Sequence, residues 1–170
     1  MIGNKVQFID GVTTYTINDR FSQPNLWLQS PFYYIKLESV DGLYSSDISY
    51  ESHPIPNATG EKSGDVFRRG KTIVLSGQIE ALSLGYLATG ATYLRQMFNN
   101  TALRHLRFYQ YGDDNQMYIV CRVSQDLAIT ETVPNPDANA FRWEWTVGLR
   151  ADNPLTRKVS DNSIYPTWQT

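Results

Sequence analysis

One cysteine, Cys121, stands in 170 residues. An intramolecular disulfide is excluded, and with it a disulfide scaffold or a cysteine-rich metal centre. Cys121 lies in the apolar strand pattern MYIVCRV, where a buried, inert thiol is expected. Histidine is nearly as scarce. His53 and His105 are the only two, and neither has a second His, Cys or carboxylate at ligand spacing. An excess of positive charge is missing as well: 15 Lys and Arg against 17 Asp and Glu give a formal net charge of -2. That excludes a protein whose main task is gripping nucleic acid phosphates. No window approaches the ~20 apolar residues of a membrane-spanning helix, and MIGNKVQFIDG has no signal-peptide core. The expectation is a chain made in a cytoplasm, without a membrane segment and not exported by itself.

Catalytic motifs are missing too. There is no G-x-S-x-G elbow and no phosphate-cradling loop. Gly70-Lys71-Thr72 ends like such a loop, but Asp65 occupies the earlier glycine position and the segment runs into a strand pattern. The acidic pairs Asp113-Asp114 and Asp126/Glu131 read as a turn tip and a solvated strand edge. Two N-x-[ST] triplets, at Asn57 and Asn99, carry no weight without a secretion signal. No catalytic, cofactor-binding or metal-binding residue is expected, and the chain reads as a non-enzyme.

What the sequence does have is aromatic: 4 Trp, 11 Tyr and 7 Phe, a supply that favours strands. The most regular stretch is 70–98. Ile73, Leu75, Gly77, Ile79 and Ala81 share one parity, the period of a half-buried strand. Leu84, Leu87, Ala91, Leu94 and Phe98 then follow at helical spacing. Before it, Val6 and Phe8, the Asp10-Gly11 turn and Val12, Tyr15 and Ile17 predict a hairpin. Residues 32–40 alternate as a strand. After the helix, 103–110 and 117–129 pair as a long hairpin about a turn at 111–116. Asp113 and Asp114 stand at its tip. Residues 140–150 put Phe141, Trp143, Trp145, Val147 and Leu149 on one face. Residues 51–69, with two prolines, two glycines and few apolar residues, read as a functional loop of about nineteen residues that orders against a neighbour.

These elements give seven or eight strands and one helix. They predict a mainly β fold: an antiparallel β-sandwich or half-barrel with one flanking α-helix. The chain reads as a single domain: 1–31 a hairpin and connector, 32–155 the sandwich core, 156–170 a tail. Trp143 and Trp145 belong to the core. Arg68, Arg69 and Lys71 form a basic cluster suited to a subunit interface, and Trp27 and Trp168, in irregular segments, are candidate interface anchors. Tyr109, Tyr111 and Tyr118 around the hairpin turn leave open a second class of reading, a carbohydrate-binding sandwich.

The run GKTIVLSGQIEA, the helix ending LRQMF and the close FRWEWTVGLRADNPL together resemble the distal tail protein family of long-tailed bacteriophages. The Asp152-Asn153-Pro154 ending departs from the commoner acidic-acidic-Pro form. The resemblance implies a tail-tube-like fold and a ring of copies, typically a hexamer, at the distal end of a non-contractile tail. Such a ring joins tail tube to tail tip, and DNA passes through it without specific binding; the polar face of the 103–129 hairpin, with Asp113 and Asp114 at its tip, is then expected to line the channel. The implied localisation is the virion tail, assembled in the host bacterial cytoplasm. A major tail tube or tube-terminating protein shares that fold and is the nearest alternative.

Overall fold

The computed structural model describes residues 2–19, 32–43, 48–54, 61–68, 70–99, 101–110, 116–132 and 141–159. Ten strands and one helix lie among them. The first hairpin is β1 (Ile2–Asp10) and β2 (Thr13–Asp19), turning at Asp10-Gly11. Next come β3 (Tyr33–Asp41), β4 (Ile48–Pro54), β5 (Glu61–Arg68) and β6 (Lys71–Ala81). The helix α1 (Leu84–Phe98) precedes β7 (Arg104–Gln110), β8 (Gln116–Thr130), β9 (Phe141–Ala151) and a two-residue β10 (Arg157–Lys158).

Seven strands close on themselves. The pairing order is β8-β7-β1-β2-β3-β6-β9, and β9 pairs back onto β8. β8 makes this possible by changing partner along its length. Arg104 to Tyr109 pair with its first half, while Arg150 to Glu144 pair with its second. At the opposite corner β2 and β3 meet over just two residue pairs, Asn18↔Lys36 and Asp19↔Leu37, which are parallel. Every other pairing is antiparallel. The result is a sandwich. One sheet is β10, the first half of β8, β7, β1 and β2. The other is β3, β6, β9 and the second half of β8. Closure leaves few unpaired strand edges, which are otherwise an aggregation hazard.

The expected parities hold where one face is buried. Ile73, Leu75, Ile79 and Ala81 of β6 are fully buried, as are Val147 and Leu149 of β9, with Trp145 2% exposed. The helix sits where the sheets would gape. Ser83 caps it, its hydroxyl accepting from the Tyr86 amide at 3.3 Å. Its buried face is Leu87, Gly90, Ala91, Leu94, Met97 and Phe98. Leu84, read as part of that face, is 48% exposed, and Met97 takes its place at the other end. The Phe98 ring lies 5.3 Å from Phe8 on one sheet and 6.4 Å from Trp145 on the other. The last turn is thus a wedge between the layers, in reach of the extra stabilisation aromatic pairs give, about 0.5–1.5 kcal/mol each. Midway along, Gly90 lets the helix approach closely. A Cβ there would meet Ile79 Cγ2 at 2.8 Å and Tyr33 Cδ2 at 3.1 Å.

Where β2 leaves β3, the helix also serves the exposed edge. The Thr16 amide donates to the Tyr93 hydroxyl at 3.2 Å, and the Tyr93 and Tyr15 rings pack edge to face at 5.6 Å. An edge N–H that would otherwise need water or another strand is satisfied within the chain.

One sequence expectation is corrected. The described residues within 51–69 are not a structureless loop: β4 and β5 pair antiparallel from Ile48↔Arg68 to Pro54↔Glu61, with one register shift. They form a separate two-stranded sheet that joins no strand of the sandwich, and their principal contacts are with each other. The physical reason for the misreading is clear. A ribbon held by backbone hydrogen bonds, with no core to cover, needs no apolar periodicity.

Candidate functional site

Chemical sites were sought first. Among the described residues no three His, Cys, Asp or Glu side chains group as a metal site, and no helix is long and apolar enough to cross a membrane. Cys121 is fully buried, and burial pushes its thiol up to about 12. At neutral pH it is a thiol, not a nucleophilic thiolate. His105 is exposed on the outer face of the first sheet, its ring stacked at 4.7 Å on that of Tyr118.

The first surface is the β4–β5 ribbon. An isolated two-stranded hairpin is marginal in water, so one that extends from a sandwich calls for support from outside its own pairing. Its root lies at the start of β6, and there the basic cluster read from the sequence divides. Lys71 is 4% exposed and its Nζ donates to the Leu43 carbonyl. Burial lowers its pKa from 10.5 to about 8. The side chain joins the segment before the ribbon to the strand after it, so Lys71 leaves the set of surface cations. The signal was present: Lys71 has the parity of Ile73 and Leu75. Arg68 ends β5. Arg69, Trp27, Trp168, Asp113, Asp114 and Tyr111 lie outside the described residues.

The second surface is the outer face of the β10-β8-β7-β1-β2 sheet. The register aligns a row across all five strands: Thr16, Gln7, Arg107, Tyr118 and Arg157. Arg107, Tyr118 and Arg157 are half-buried and His105, one row away, is exposed. Arg107 Nε is buried with no hydrogen-bond partner. Among the described residues of this face there is no Asp or Glu.

The third surface is the outer face of the other sheet, and it carries charges of both signs. Lys36, Glu80 and Arg142 form a chain of ion pairs at 2.6 and 3.0 Å. Asp152 joins Arg122 at 2.6 Å and Arg150 at 3.9 Å. Each cluster holds two cations to one carboxylate, and beside them is a groove of about 280 Å³, lined by Glu38, Ser76, Gly77, Thr130, Glu144 and Thr146 among others. Two irregularities shape it: β3 is bulged against β6 at Glu38, and β8 shifts register against β9 between Gln125 and Ala128. Gly77 lies along it, and a Cβ there would strike the Lys36 carbonyl oxygen at 1.9 Å. Glu38 and Glu144 are exposed, and neither forms an ion pair among the described residues.

Sequence reasoning also missed Arg104. It is 5% exposed, on the core parity of Leu106 and Phe108. Its guanidinium donates to the Met97 carbonyl at 3.1 Å, meets Asp10 at 2.6 Å and lies over the Phe8 ring at 5.6 Å. It joins the end of the helix to the first hairpin turn. An Arg in phase with buried Leu and Phe was the available signal.

Comparison with known proteins adds a likeness of fold. No family model matches, and no curated protein matches. Among solved structures, the chain is similar to the Dit (gp 19.1) protein of phage SPP1, described as a paradigm of the hub adsorption apparatus in phages infecting Gram-positive bacteria. The TM-score is 0.51 at 11% sequence identity, covering 75% of this chain and 47% of that one. The chain thus spans about half the length of the protein it matches. The shared fold agrees with the mainly β, tail-tube-like sandwich with one flanking helix expected from the sequence.

Proposed function

We propose that this chain is a structural protein of a phage tail, and specifically a distal tail protein. Copies form a closed ring, six in number by the family resemblance, at the junction of tail tube and tail tip. DNA passes through the central channel without being held, and the tail tube and the tip or hub proteins are the ring's neighbours. The protein acts in the virion tail and is assembled in the cytoplasm of the host bacterium. The fold shared with Dit is the observation that carries this reading. The β4–β5 ribbon, which has no strand of its own sandwich to pair with, supports it as the arm that reaches the adjacent copy, and Arg68 and Arg69 at its end are the cations offered there. In this reading Trp27 and Trp168 are interface anchors, and Asp113 and Asp114 are channel-facing acids.

Replacing residues 48–68 by a tight turn tests the reading. The shortened chain is expected to fold as a monomer, with a cooperative thermal transition like that of wild type, and to lose assembly in sedimentation velocity. Assembly at wild-type strength without the ribbon would refute its role as an arm.

A further inference from the structure

The two outer faces of the sandwich treat their cations differently. On the β3-β6-β9-β8 sheet, Lys36, Arg122, Arg142 and Arg150 each meet Glu80 or Asp152. On the other sheet, Arg107 and Arg157 form no ion pair among the described residues, and the described residues of that face include no Asp or Glu. Cross-strand register puts the two arginines on either side of Tyr118, two inter-strand steps or about 10 Å apart at the backbone. The His105 ring stacks on Tyr118 at 4.7 Å and braces the aromatic wall between them. Arg107 is half-buried, and its Nε–H is buried without an acceptor. A buried donor left unmet costs about 1–3 kcal/mol, and such groups are rare in folded chains. An arriving acceptor removes that cost. Arginine donates only, through five N–H groups in a planar fork, so the matching group is an oxyanion.

We infer that the Arg107–Tyr118–Arg157 row is a docking site for an acidic segment of a second protein, which lays one carboxylate on each guanidinium across β7, β8 and β10. Carboxylate and phosphate both fit the guanidinium fork through two parallel N–H bonds. Affinity for duplex DNA is built from many phosphate contacts at once, and this face offers two unpaired arginines on a chain of formal net charge -2. A protein segment needs only a few such contacts, and complementary charge of this kind fixes register and partner choice. The opposite face of another copy is a poor occupant, since it carries Lys36, Arg122, Arg142 and Arg150 beside its carboxylates. The inference goes beyond the ring reading and rests on it at one point. DNA passes through the ring unheld, and cations along the bore would hold phosphates. The face of the β7–β8 hairpin is therefore turned from the channel, and only the hairpin tip keeps the channel-facing role expected from the sequence.

Binding measurements on the full chain test it. The probes are a fluorescein-labelled hexaglutamate peptide and a labelled duplex DNA oligonucleotide, each followed by fluorescence anisotropy at low ionic strength, where exposed charges are least screened. Wild type is expected to bind the peptide. The double variant Arg107→Gln, Arg157→Gln is expected to bind it at least roughly tenfold more weakly. Arg95→Gln, which removes an exposed cation of the helix, is expected to bind like wild type. The double variant should keep the wild-type thermal midpoint, because neither arginine holds an ion-pair partner among the described residues. A clearly lowered midpoint would make the pair structural and overturn the inference. No peptide binding by wild type, or an equal loss in Arg95→Gln, would overturn it too. Should the double variant lose duplex binding while peptide binding is unchanged, the face belongs to nucleic acid and the inference fails. If wild type forms rings and the double variant does not, the occupant is a second copy; the inference fails and the ring reading stands. A wild-type chain that is monomeric at every concentration, yet binds the peptide through these arginines, would remove the ring reading and support the docking face.

Discussion

Lys71→Met is the sharpest single test of how the ribbon is rooted in the sandwich. Lys71 is 4% exposed and donates to the Leu43 carbonyl. Burial lowers its pKa from 10.5 to about 8. Between those two values the unfolded chain holds a proton that the folded chain has released. Stability therefore rises with pH across the window, is fully gained above 10.5, and is lost as pH falls through about 8. At about 1.4 kcal/mol per pH unit, the whole swing is about 3 kcal/mol. Some 2 kcal/mol of it falls between about pH 7.5 and 9.5, below the range where ordinary lysines and tyrosines titrate. Methionine keeps the length of the side chain and removes the proton. At neutral pH its effect is a near-cancellation, since the buried charge is gone but the Leu43 carbonyl loses its donor, at a cost of about 1–3 kcal/mol. The pH dependence separates the two terms. Urea unfolding should show wild type gaining about 2 kcal/mol relative to Lys71→Met across that window. Parallel curves for the two proteins would refute the account of a buried, desolvated ammonium.

Two further substitutions test the packing of the helix. Arg104→Ala should destabilise by about 1–3 kcal/mol, because it leaves the Met97 carbonyl without its donor at a buried site and the half-exposed Asp10 carboxylate without its partner; a loss below about 0.5 kcal/mol in chemical denaturation would contradict that. Gly90→Leu should cost about 2–3 kcal/mol by overpacking, because even a Cβ meets Ile79 at 2.8 Å. An unchanged thermal midpoint would mean that the helix can ride outward freely.

The sequence made some of this fold legible for a definable reason. Where a strand has one buried and one wet face, parity is imposed by water, and β6 and β9 were readable residue by residue. The helix was readable by the same physics at its own period, except at its ends, where Leu84 is lifted out and Met97 turned in. The ribbon was not readable, since its strands answer to each other and not to a core. Nor were the corners: nothing in the residues of β8 announces that Arg122 to Thr130 leave β7 for β9. Lys71 and Arg104 were hidden by their charge, although each has the parity of its buried neighbours. For the candidate surfaces, the sequence offered cations near the ribbon. It did not offer the Arg107–Arg157 row or the Glu38–Glu144 groove, because both are assembled from strands far apart in the chain. No pattern within one segment encodes a face built from five.

The central claim is that this chain works as one copy in a closed ring. Negative-stain electron microscopy of the purified full chain tests it most directly. The account predicts discrete rings of six copies around an open centre. Monomers alone would contradict it, and long continuous tubes would replace the distal ring with a tube protein.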